Sequence, residues 1–159
     1  MTALCQDIDH RCVRLLALQA PVATDLRIVV AAMDAVSDVR RMGKLAQHIA
    51  KIARLKHPFV RLPQDLERIL ARMALLASTL AHDAAQAIDN SHPHCAQKLA
   101  SVEEEIGALH RQIFQRLFAE DWPHGVEPAV DAALMGRYYT RFADHATAIA
   151  RQANVIITG

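Results

Sequence analysis

The chain has 159 residues, of which 52% are hydrophobic and only 4% aromatic, and its formal net charge is +1 with neutral histidines. This balance argues against a nucleic-acid binder, which usually carries a clear basic excess, and no apolar run is long enough to cross a membrane. The polar N-terminal stretch lacks the apolar core of a signal peptide, and the three cysteines cannot all pair within one chain. We therefore expect a cytoplasmic protein with reduced thiols and no membrane insertion.

Apolar residues recur at helical spacing along nearly the whole chain, and few aromatic residues accompany them, which favours packed helices. A short helix over residues 3–19 is followed by a long one that begins at Pro21, with Asp25 at the positive end of the helix dipole, and ends near Arg54. Breaks that contain proline separate three further predicted helices, over residues 63–90, 93–119 and 126–156. The predicted fold class is all-α.

The two ends of the chain form an internal repeat when the sequence is shifted by 100 residues without gaps. The matched pairs include His10 and His110, Arg11 and Arg111, Arg41 and Arg141, and Ile49 and Ile149. Each copy consists of a shorter helix, a break and a long helix. Only the second copy is preceded by an additional helix, the one predicted over residues 63–90.

Two segments have a distinctive sequence, and the shift of 100 residues superimposes them in part, from Arg41 and Arg141 onward: Asp38-Val-Arg-Arg-Met-Gly43 and Arg141-Phe-Ala-Asp-His-Ala146. Together with the proline-led helix start and the repeat, they resemble the PhoU family of phosphate-transport accessory regulators, and the resemblance covers essentially the whole chain. It implies tandem three-helix bundles, of which the first is incomplete because an opening helix and most of a second are missing. We accordingly assign residues 1–57 to a shortened first repeat and residues 63–159 to a second, complete bundle.

The resemblance also implies a function. PhoU proteins restrain high-affinity phosphate uptake and couple the ATPase of the phosphate ABC transporter to a sensor histidine kinase, and they are often dimeric. We therefore expect a negative regulator of phosphate uptake and phosphate-starvation signalling that acts by protein contact, is not an enzyme and needs no cofactor. The alternative is a metal-binding carboxylate helical bundle with a redox or storage role.

The family's acidic motif, a Glu or Asp followed four positions later by Asp, is altered in both repeats. The first copy has Arg40 and Lys44 at these positions, and the second has Thr140 and Asp144. Carboxylates four residues apart share one side of a helix and supply the oxygen ligands of a multivalent cation, whereas Arg40 and Lys44 repel one. The first metal site is therefore lost, and only weak divalent, iron or zinc binding is expected, at Asp144 and His145.

Each remaining candidate residue has a second interpretation. Asp144 is equally suited to pair with Arg137 or Arg141 on a solvated face. Arg41 and Arg141 either bond carboxylates and carbonyls between helices, which is the commoner role of such arginines, or bind an anion such as phosphate. No glutamate is followed three residues later by histidine, which argues against a ferritin-like di-iron bundle.

The incomplete first repeat predicts a homodimer. With only two helices, its long helix is expected to leave an apolar side uncovered and to pack on a second copy across a two-fold axis through residues 3–54. The residues expected to be incompletely covered are Val29, Val30, Met33, Val36, Ile49 and Ile52.

Overall fold

The computed structural model describes residues 2–56, 62–90 and 95–158, and within these residues all regular structure is helical. The helices in chain order are α1 (Thr2–Gln19), α2 (Ala23–Lys56), α3 (Gln64–Asn90), α4 (Cys95–Leu117) and α5 (Val126–Thr158). The predicted all-α class is confirmed, and the helix ends lie within two residues of their predicted places. The connector predicted between the repeats falls largely outside the described residues, so the division of the chain there stays a prediction.

Helices α3, α4 and α5 form a three-helix bundle in which each helix contacts the other two. Its largest fully buried side chains are Leu66, Met73, Leu80, Leu99, Ile106 and Ile113. Helix α5 contributes a run of buried alanines, which lets its neighbours approach closely. At the bundle's edge Arg116 bonds Asp65 at 2.6 Å, and this hydrogen bond holds the pKa of the Asp65 carboxyl below its ordinary value.

Helices α4 and α5 meet at a glycine. A methyl group at Gly136 would lie 2.8 Å from Cδ1 of Ile113 and 2.9 Å from Cδ2 of His110, which is closer than carbon atoms normally approach. The Nε2 atom of His110 is buried and has no hydrogen-bond partner among the described residues. Burial, together with the positive charge of Arg137, lowers the pKa of His110 below its ordinary value, so the neutral imidazole is favoured there.

The described residues of the predicted first repeat form α1 and α2. Helix α2 lies between α1 and α5, whereas α1 contacts α2 and no other helix in the described part of the chain. Cys5 and Cys12 of α1 are buried against α2, and Arg40 donates a 2.6 Å hydrogen bond to Asp9 across the same contact. Many large exposed apolar side chains belong to this pair of helices and the connection between them: Leu4, Val13, Leu15, Leu18, Val22, Leu26, Ile28, Val30 and Leu55.

The repeat without gaps does not predict correctly which side of α1 is buried. A shift of 100 residues pairs the buried Cys12 with Gln112, which is exposed, whereas Ile113, one position further, is fully buried. One residue corresponds to a rotation of about 100° about the helix axis. The connection between α4 and α5, residues 118–125, is longer than that between α1 and α2, residues 20–22.

The expected uncovered residues of α2 divide into three groups. Val29 and Val36 are buried, so the prediction was wrong for them: Val29 lies beside Leu15 and Gln19 of α1, and Val36 follows two turns later on the same side. Met33, Ile49 and Ile52 are partly buried. Val30 remains exposed, and it faces α5 rather than α1.

Candidate functional site between α2 and α5

Helices α2 and α5 cross antiparallel, and two contacts fix their register. Nδ1 of His145 lies 2.9 Å from Oδ1 of Asp38, and both side chains are less than 15% exposed. Further along, the ring of His48 stacks on Tyr138 with 5.3 Å between centroids and 27° between planes. Between these two contacts the residue number rises along α2 and falls along α5, as antiparallel helices require. The midpoint between the contacts lies near Met42 and Phe142, which the shift of 100 residues also pairs. We call this line of contact the seam.

The repeat gives the seam an approximate two-fold axis with different chemistry on its two sides. The offset of 100 residues places Tyr138 at the position of Asp38 and pairs Leu45 with His145. Leucine and tyrosine cannot form the hydrogen bond that joins Asp38 to His145, so this bond is made on one side of the axis only. On the other side Tyr138 stacks on His48 instead.

The altered motif positions have structural roles in two cases. Arg40 bonds Asp9 of α1, and this hydrogen bond raises the pKa of Arg40 above its ordinary value. Thr140 donates its hydroxyl hydrogen bond to the carbonyl of Gly136 one turn earlier, at 3.0 Å. Arginine and threonine therefore contribute to helix packing where the family places acids.

Asp144 and His145 do not converge on one point. His145 points into the seam toward Asp38, whereas Asp144 is exposed. No group of three or more histidine, cysteine, aspartate or glutamate side chains in the described ranges is placed to hold a metal ion. Weak binding at Asp144 and His145 stays a prediction, and so does the loss of the first site at Arg40 and Lys44.

Arg41 and Arg141 are both exposed. Within the described residues neither forms a hydrogen bond or an ion pair, and Asp144 is not paired with Arg137 or Arg141. The interhelical bonding that such arginines commonly provide is thus not seen at either position. Their guanidinium groups are free to meet an external anionic group.

A groove lies beside the seam and was not predicted from the sequence. Its volume is about 490 Å³, and the residues that line it are Leu26, Arg27, Val30, Ala31, Asp34, Arg151 and Gln152. Leu26 and Val30 form an apolar floor four residues apart, and both side chains are at least 40% exposed. The register of the antiparallel crossing was the missing information: it brings the beginning of α2 against the end of α5.

Comparison with known proteins identifies this architecture. The family model for the PhoU domain matches residues 1–53 and 70–153. The chain is 43% identical over 145 residues to the phosphate-specific transport system accessory protein PhoU homolog 2 of Mycobacterium tuberculosis, covering 91% of this chain and 68% of that protein. It is 38% identical over its whole length to PhoU homolog 1 of the same organism, covering 72% of it, and 31% identical to the Synechocystis PhoU homolog, covering 98% and 69% of the two chains. The chain belongs to the PhoU family.

The helices were also compared with the requirements of a membrane span. In the described ranges, no helix combines the length and the apolar composition that a membrane span requires.

Proposed function

We propose that this protein is a negative regulator of phosphate uptake and of phosphate-starvation signalling. In this proposal it acts in the cytoplasm as an adaptor between the ATPase of a phosphate ABC transporter and a sensor histidine kinase. Membership of the PhoU family supports the proposal, because its relatives bear the name of phosphate-specific transport system accessory proteins. The proposed role is regulatory and not enzymatic.

The observation that carries the adaptor role is the exposed side of the seam. An adaptor needs surfaces that are stable without the partner and that leave charged and apolar groups available for it. Arg41 and Arg141 have no partner within the described residues, and the neighbouring groove exposes Leu26 and Val30. The long helices α2 and α5 hold these groups in place through Asp38 and His145 below them.

We also propose a homodimer through α1 and α2. A groove between these helices, lined by Leu15, Gln19, Pro21, Asp25, Ile28 and Val29, has a volume of about 370 Å³. An apolar surface of this kind is commonly covered in soluble proteins. Leu15 and Ile28 are better probes of this contact than Val30, which lines the other groove.

The proposed function is tested by deleting the gene in a strain without a second copy. We expect phosphate uptake, or transcription of phosphate-regulated genes, to rise in phosphate-rich medium and to return to the original level when the gene is restored. Unchanged uptake and transcription in such a clean deletion would contradict the regulatory role. A loss of phosphate uptake would contradict its negative sign.

A further inference from the structure

The cations on the exposed side of the seam form one continuous surface. Residues seven apart on a helix lie nearly on the same side, so Arg27, Asp34, Arg41 and His48 follow one line along α2. At one end of this line Arg27 and Asp34 line the groove with Arg151. At the other end His48 stacks on Tyr138. Arg41 therefore also borders α5, midway between these two contacts.

The facing line on α5 is found in the same way. It connects Tyr138, His145 and Gln152, which are seven residues apart, and Arg141 lies beside it, one turn before His145. Because His145 is in the seam and Arg141 is exposed beside it, Arg41 and Arg141 flank the Asp38–His145 bond from opposite helices. The two guanidinium groups mark the pseudo-two-fold axis at the surface.

Further cations extend this surface. Lys44 lies one turn beyond Arg41, and Arg137 one turn before Arg141; both are exposed and unpaired within the described residues. Arg151, although 3.6 Å from Glu103, keeps a side chain that is 69% exposed. We call the surface formed by Arg27, Arg41, Lys44, Arg137, Arg141, Arg151 and the apolar floor of the groove the cationic face.

The charge of the cationic face is unusual for this chain, whose formal net charge is only +1. The acids beside these six cations are fewer: Asp34 and Asp144 are exposed, and Glu103 lies 3.6 Å from Arg151. The surplus of cations is therefore local, and exposed cations beside an apolar floor are complementary to a partner that is acidic and apolar at once.

From this combination we infer that the cationic face binds an acidic amphipathic helix of a partner protein. Two apolar side chains of that helix would meet Leu26 and Val30, and its carboxylates would meet the flanking arginines. From Arg27 to Arg41 the face is about 21 Å long, which corresponds to roughly four turns of a partner helix. A free inorganic anion would use the arginines and leave the apolar floor exposed to water, so the helix fits the whole surface better.

This inference rests on the proposed function, because it names the surface by which the adaptor would hold a partner. The probe is a fluorescein-labelled synthetic helix with two leucines four residues apart and glutamates on either side of them. Its binding to the whole protein is followed by fluorescence anisotropy. A control peptide keeps the leucines and has lysine in place of every glutamate.

We expect the acidic peptide to bind and the lysine peptide not to bind. The double substitution Arg41→Glu with Arg141→Glu should weaken binding at least tenfold, since it reverses both central charges. The matched control Arg14→Glu with Arg111→Glu makes the same charge change at exposed arginines of α1 and α4 and should alter affinity less than about twofold. Circular dichroism establishes folding, and Arg41→Gln with Arg141→Gln replaces the first variant if it is unfolded.

Three results would overturn the inference: no binding of the acidic peptide, equal weakening by the control variant, or displacement of the peptide by inorganic phosphate beyond that by chloride at the same ionic strength. The last result would indicate a site for a free anion. In the deletion strain, the Arg41→Glu and Arg141→Glu variant should be expressed but should fail to restore repression. If that variant restores repression as the wild type does, the cationic face is contradicted while the proposed function stands. If the wild-type gene itself has no effect, the proposed function fails, and the peptide result decides the inference alone.

Discussion

The bundle of α3, α4 and α5 and the pair of α1 and α2 are built on the same repeat, yet they bury very different amounts of apolar surface. In the bundle, each helix packs on at least two others in the described part of the chain, and six large side chains are fully enclosed. In the pair, α1 has one neighbour, and its buried residues are the small Cys5 and Cys12. The comparison teaches that the number of neighbouring helices, more than the apolar content of a helix, decides what it can bury.

The largest expected difference lies between two positions that the repeat aligns. Ile113 is fully buried in α4, whereas Val13 of α1 is 53% exposed. Ile113→Ala should lower the free energy of unfolding by about 2–5 kcal/mol, because it removes buried methyl groups and leaves a cavity. Val13→Ala should change it by less than about 0.5 kcal/mol. Urea unfolding measures both, and similar losses for the two variants would break the comparison.

The glycines of the bundle provide a second, smaller contrast. Gly136→Ala should cost roughly 1–2 kcal/mol, since the added methyl group is forced against Ile113 and His110. Gly107→Ala is the matched control: its methyl group would have Nη1 of Arg111 as its nearest neighbour, at 3.7 Å, and should gain up to about 1 kcal/mol from helix propensity. Thermal unfolding of both variants gives the signs, and a stabilised Gly136→Ala protein would contradict the tight packing of α4 on α5.

Much of the architecture could be predicted from the sequence, because helical spacing and proline breaks are local properties. All five helices and the family resemblance follow from such patterns. The register of α2 on α5 depends on distant residues, so Asp38 with His145 and the apolar groove were missed. The repeat could have predicted the contact of Asp38 with His145, because an antiparallel crossing at Met42 and Phe142 places residue 38 near residue 145.

The rotation of α1 was also beyond sequence reasoning. His10 and Arg11 match His110 and Arg111 letter for letter, but the buried sides of the two helices are offset by one residue. A gapless alignment conceals this offset. The start of α2 differs for a related reason: Ala20 and Ala23 both have positive φ, and Pro21 lies in the connection instead of the first turn.

His110 should make the bundle sensitive to acid. Its pKa is lowered in the folded state by burial and by Arg137, so the unfolded chain binds the proton more readily. The stability that depends on neutral His110 is complete above the ordinary pKa of about 6.5 and is lost as the pH falls from there toward the lowered folded value. In urea unfolding between neutral and mildly acidic pH, His110→Gln should lose less stability than the wild type. An equal loss would contradict the account of His110.

The smallest expected effect is at the turn between α1 and α2. Ala20 has φ of 42°, a left-handed conformation that favours glycine. Ala20→Gly should therefore stabilise the protein by about 0.5 kcal/mol, the relief of strain being partly offset by the freedom of the unfolded glycine. Ala17→Gly, inside α1, should instead cost up to about 1 kcal/mol. Destabilisation by both substitutions would contradict the strained turn.

Amide hydrogen exchange at two protein concentrations tests the central comparison most directly. If a second copy covers α1 and the side of α2 next to it, the amides of α1 should exchange rapidly at about 1 µM and become protected at about 100 µM, because association stabilises the bound form by mass action. The amides of α3, α4 and α5 should be protected equally at both concentrations. Leu15→Asp with Ile28→Asp should abolish the concentration dependence in α1 and leave the bundle unchanged. Protection of α1 equal to that of the bundle at the lower concentration would contradict the account, and so would protection of α1 that is independent of concentration.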